Sequence, residues 1–264
     1  MSDFERKIAT APYGQTIGRA GPVAVDQGLR AYMLHIYNYM VLGLAITGLA
    51  ALGTYMLSIT TDPAMAVMKL RDGLMLTAFG RAAFVGPLKW VVILAPLALV
   101  FVLSFGIERL RPAVAQVLFW VYAVLVGISL GAIFMLFTHT SIVRVFFITA
   151  ASFGALSLWG YTTQRDLTGM GSFLLMGLFG IILAGIVNFF TQSPMLQYVI
   201  SVVGVLVFAG LTAWDTQRLK NEYLYAAMDG ETTERSAILG ALSLYLNFIN
   251  LFTLLLQLLG QREE

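Results

Sequence analysis

Two places in this sequence set polar chemistry among apolar residues. Ser243, Asn247, Asn250, Thr253 and Gln257 follow one another at steps of 4, 3, 3 and 4. At 3.6 residues per turn, that spacing lays all five along one helix face for about 21 Å. Polar groups in lipid are costly, so the stripe must face protein or water. It either hydrogen-bonds to neighbouring helices or lines a path through the membrane, and the sequence leaves both open. The second place is Asp215, in AWDTQRLK, followed by Arg218 and Lys220. One reading is a carboxylate at the membrane interface loosely paired to Arg218 at i+3. The other is a gate or proton-sensing group near the mouth of a bundle.

A tight turn, Glu108-Arg109-Leu110-Arg111-Pro112, falls on the same side of the membrane as Asp215. Basic anchoring on the inner side accounts for both arginines by itself. Small residues (Gly127, Ser129 and Gly131; Ser152, Gly154 and Ser157; Gly177, Gly180 and Gly185) read as sites of close helix approach. Asn188 reads as a packing hydrogen bond.

The elements that position these groups follow from the scarcity of charge. Of 264 residues, 59% are hydrophobic and 11% charged, with a mean hydropathy of +0.83. A soluble domain is about a quarter charged, so this composition cannot cover a soluble surface. With no cysteine, disulfide scaffolds and thiolate metal sites are excluded.

About 20 apolar residues cross a hydrocarbon core of roughly 30 Å. The charge-free runs 31–61, 90–107, 112–143, 145–164, 167–214 and 236–261 then count seven spans, because Gln192-Ser193-Pro194 divides the 48-residue run. They are expected at about 31–59, 89–107, 113–137, 142–162, 170–191, 195–215 and 237–260. Runs such as GLFGIILAGIVNFF are apolar on every face, against the alternation of a β-barrel. The fold class is an all-α membrane protein, a seven-transmembrane-helix bundle whose seventh helix is central or pore-lining.

Lys and Arg set the orientation. With the N-terminus cytoplasmic, ten of the 16 basic residues lie inside and six outside. Residues 1–28 read as a cytosolic tail and 62–88 as the sizeable outer loop, with a short interfacial helix over Met65 to Leu76. The surroundings are the lipid bilayer, without nucleic acid. The expected location is a membrane that the chain crosses several times.

Enzyme chemistry finds little support. The last span carries no lysine for a retinal Schiff base, and the chain has neither an HExxH nor a G-x-S-G site. An aspartyl protease needs two facing carboxylates, and Asp215 is the one acid within a span. The expectation is a protein that is not an enzyme and has no cofactor.

GLTAWDTQRLK and ALSLYLNFINLFTLLLQLLG together resemble the Bax inhibitor-1 (transmembrane Bax-inhibitor-motif) family. DQGLRAYMLHIYNYMVLGLAITGLAA and PLKWVVILAPLALVF are similar to its bacterial members. The resemblance runs from about Asp26 to the end. It implies a seven-helix bundle with a central last helix, and a pH-sensitive calcium leak. It also implies an aspartate pair on the last two helices as pH sensor, latched by an arginine of the second helix. By position, the first aspartate is similar to Asp215, and the latch to Arg109 or Arg111. The second acid's position holds Asn247.

That departure has a consequence. Two carboxylates in one site cannot easily ionise together, whereas an amide does not titrate. The pH response is therefore expected to be weakened, shifted toward acid, or lost. One of two carboxylates able to hold Ca²⁺ is also missing, leaving Asp215 as a transient calcium contact, with calcium entering only as the transported ion.

The leading expectation is a pH-modulated calcium-leak channel gated near Asp215. The alternative is a regulator that binds membrane proteins such as a membrane-anchored ATP-dependent protease. A third is a structural role within a complex.

Overall fold

The computed structural model describes residues 22–71, 73–106, 110–226 and 230–263. The helices are α1 (Pro22–Ser58), α2 (Ala78–Gly80), α3 (Leu88–Gly106), α4 (Pro112–Leu130), α5 (Ile133–Leu136), α6 (His139–Thr162), α7 (Thr168–Thr191), α8 (Pro194–Ala226) and α9 (Gly230–Leu259). Among the described residues, six helices are long and apolar enough to cross a membrane. Counted as one span, the pair Ala78–Val85 and Leu88–Leu103, bent by 59°, makes a seventh. The chain is an integral, multi-pass membrane protein.

Local sequence explains the breaks. Pro112 starts α4 at a position where its missing N–H costs nothing. Thr138 caps α6 by accepting from the Ser141 N–H. Gln192 ends α7 in the left-handed region, at φ 50°, and Pro194 opens α8. Pro96 lies inside α3, so the Val92 carbonyl loses its usual donor four residues on. Ser129 of α4 donates its hydroxyl to that carbonyl at 2.5 Å. In lipid, where water is absent, this repair ties α3 to α4.

Helix α1 already runs from Pro22, and residues 1–21, most of the expected tail, lie outside the described residues. One expectation needs correction. The expected interfacial helix over Met65 to Leu76 is a small antiparallel sheet instead, ordered β1 (Ile59–Thr60), β3 (Leu74–Leu76), β2 (Met68–Arg71). Between β2 and β3, Gly73 takes φ +78°, which glycine adopts without strain.

Helix α9 is the central one. It packs against α1, α4, α6 and α8. Of its apolar window 61% is buried, against 6% for α7 at the periphery. Tyr245 of α9 is fully buried and meets Phe119 and Tyr122 of α4 edge-on. Its hydroxyl shares a 2.6 Å hydrogen bond with Thr47 of α1. At Gly127 the α4 backbone lies against Thr47 and Ala50 of α1 so closely that a Cβ would collide with both.

Candidate functional site

Asp215 sits on α8, 4% exposed, and both its oxygens are occupied. Oδ1 lies 2.8 Å from Nη2 of Arg218, one turn along the same helix. Oδ2 accepts from the Ser243 hydroxyl at 2.8 Å and from the Asn247 amide at 2.7 Å, both on α9. The i+4 step from Ser243 to Asn247 brings both donors to one face, and α8 turns Asp215 onto it. Arg218 also lies 3.4 Å from the Ser243 hydroxyl, and its guanidinium covers the Trp214 ring at 5.1 Å. A carboxylate with one cation and two neutral donors is well held in a low-dielectric setting.

The rest of the polar stripe divides. Asn250 donates to the Leu246 carbonyl at 2.8 Å, and Thr253 to the Asn250 carbonyl at 3.0 Å, so both are satisfied within α9. Gln257, about 15 Å along the helix from Asn247, joins a second cluster. Its carbonyl accepts from Gln197 at 2.6 Å and Ser201 at 2.9 Å, both of α8. Gln197 in turn accepts from Asn188 of α7 at 2.9 Å, the packing bond read from the sequence. The α8–α9 seam thus has a charged cluster toward one end and a neutral amide cluster at the other.

Arg111 is exposed and occupies the N-cap position of α4, while the ion pair on Asp215 among the described residues is Arg218. Arg109 lies outside the described residues. Among those residues, no three His, Cys, Asp or Glu side chains gather to hold a metal. Near the Asp215 end, Tyr32, His35, Tyr223 and Glu234 line an open pocket of about 380 Å³, and the buried Tyr32 hydroxyl has no hydrogen-bond partner there.

Against this geometry stands one family match: the model described as "Inhibitor of apoptosis-promoting Bax1" covers residues 29–264. The chain belongs to the Bax inhibitor-1 family. A protein of Caulobacter vibrioides is 43% identical over 264 residues, the whole of both chains. The Escherichia coli inner membrane protein YbhL is 44% identical over 238 residues, 89% of this chain and 94% of its own. A membrane protein of Streptococcus pyogenes is 33% identical over 238 residues, 90% of this chain and 96% of its own.

Within this Bax inhibitor-family bundle, sequence reasoning missed the other polar residues of α8. Gln197, Ser201, Thr212 and Thr216 accompany Asp215 on that helix. Thr216 reaches the Ser157 hydroxyl of α6 at 2.9 Å, and Ser157 also bonds Tyr37 of α1. The i+4 steps from 197 to 201 and from 212 to 216 were the available signal. A small-residue reading also needs adjusting: Gly154, Gly180 and Gly185 have no heavy atom within 4 Å of where a Cβ would stand. They are not sites of close helix approach.

Proposed function

We propose that this protein is a pH-modulated cation leak, with calcium as cargo, closed at the α8–α9 seam by the Asp215–Arg218 pair. It resides in a bacterial inner membrane with the Asp215 end toward the cytoplasm, as the distribution of Lys and Arg favours. The observation that supports this reading is a buried acid whose oxygens are filled by the protein's own Arg218, Ser243 and Asn247. Calcium takes six to eight oxygen ligands, so it cannot share Asp215 with a guanidinium at 2.8 Å. Passage requires Arg218 to leave. Its partly exposed position beside Trp214 gives it a place to go. Protonating Asp215 removes the charge that holds it, which couples opening to acid.

The test is calcium flux from dye-loaded liposomes. Arg218→Gln is expected to raise the leak at neutral pH several-fold, and Asp215→Asn to abolish its response to pH. Equal flux from all three proteins would remove the gate from this pair. No leak at any pH, with an ATP-dependent protease recovered alongside the chain from membranes, would favour the regulator reading instead.

A further inference from the structure

A long cleft runs along the outside of the bundle where α1 and α6 diverge. Arg30 and Gly48 of α1 lie on one wall, Gly154 and Tyr161 of α6 on the other, and Phe248 of α9 at the back. Its volume is about 1130 Å³. On α1 the lining runs from Arg30 to Leu52, or about 33 Å of helix, close to the roughly 30 Å of a hydrocarbon core. Arg30 is the one charged residue of the lining, and it stands at the end of the cleft. Lys220 reinforces the positive charge there, donating to the Tyr161 carbonyl at 2.9 Å.

We propose that this cleft binds one phospholipid of the surrounding bilayer, with its acyl chains along the apolar walls and an anionic headgroup at Arg30. Charge complementarity selects the headgroup, since the lining offers a cation and no carboxylate. The walls beyond Arg30 suit acyl chains, because Tyr37, Ser157 and Tyr161 are the other polar side chains of the lining. Gly48 and Gly154 keep the groove open, because a Cβ at either position would meet no heavy atom within 4 Å. Their missing side chains are therefore space rather than packing contacts. The site stands apart from the Asp215 gate, so either proposal can fail alone.

The full-length protein, taken from bilayers of equal phosphatidylglycerol and phosphatidylcholine into mild detergent, is weighed by native mass spectrometry. One phosphatidylglycerol is expected to survive on each chain. Gly154→Trp fills the groove and loses it, and Gly48→Leu does the same should the tryptophan variant fail to fold. Arg30→Gln keeps a lipid but loses the headgroup preference by about twofold to fivefold. Equal retention of the two lipids by the native protein would overturn the proposal. So would undiminished retention in a folded, plugged variant, or a protein partner crosslinked through a cysteine placed at 154.

Discussion

Asn247 of α9 donates its side-chain N–H to Oδ2 of Asp215 on α8 at 2.7 Å, filling a position where the family resemblance implies a second acid. The contact joins the two helices without adding a titrating group. An acid there would have to share a proton with Asp215 or repel it, and Arg218 would face two carboxylates rather than one.

Restoring that acid should change the pH response. In liposomes, Asn247→Asp is expected to move the midpoint of the calcium-leak profile toward higher pH and to steepen it. An unmoved profile would sink the argument that residue 247 sets the response.

Breaking the ion pair from one side should cost stability. Arg218→Ala leaves a buried carboxylate without its cation, a loss of about 3–5 kcal/mol for a fully buried pair. Because Arg218 is 39% exposed, about 2–3 kcal/mol is expected. Asp215→Asn combined with Arg218→Gln should recover most of it, measured by unfolding in detergent micelles. Full additivity of the two changes would speak against a coupled pair.

Ser129 offers a test of the proline repair. Ser129→Ala strips the Val92 carbonyl of the donor that replaces the one lost at Pro96. A loss of about 1–3 kcal/mol is expected, and it should vanish in a Pro96→Ala background where the helix supplies its own N–H.

Two glycines should behave oppositely. Gly127→Ala drives a methyl into Thr47 and Ala50 of α1 and should destabilise by about 1–3 kcal/mol. Gly154→Ala meets nothing and should stabilise α6 by about 0.5–1 kcal/mol. Melting temperatures of the two variants that shift in the same direction would contradict the packing described for these helices.

Asp166, in the exposed turn before α7, accepts from the hydroxyl and backbone N–H of Thr168 at 2.6 and 2.9 Å. These bonds hold its carboxyl below the ordinary aspartate value. Because the folded value is depressed, its contribution to stability is full above the unfolded aspartate range and is lost as pH falls through the folded value. The stability gap between the native protein and Asp166→Asn should therefore be small at neutral pH and close in acid. Carboxyl titration followed by NMR checks the direction.

The helical periodicity of the Ser243–Gln257 stripe and the isolation of Asp215 are legible in one dimension, because each depends on a single helix's pitch and on the cost of polarity in lipid. The i+3 step from Asp215 to Arg218 is legible for the same reason. The hairpin at Gly73 was legible too, in its Asp-Gly dipeptide, although the apolar residues around it suggested a helix.

Charge spacing and helix period determined by themselves that this chain is a membrane-embedded bundle of apolar helices with one polar face on the last. Tertiary structure alone decided how that face is used: Ser243 and Asn247 on Asp215, Gln257 on Gln197 and Ser201, and Asn250 and Thr253 on their own helix. The physical reason is that hydrogen bonds between helices depend on the rotation and vertical register of each one. Large buried rings such as Tyr245 and close contacts such as Gly127 against α1 fix these, at separations in sequence that no local pattern encodes.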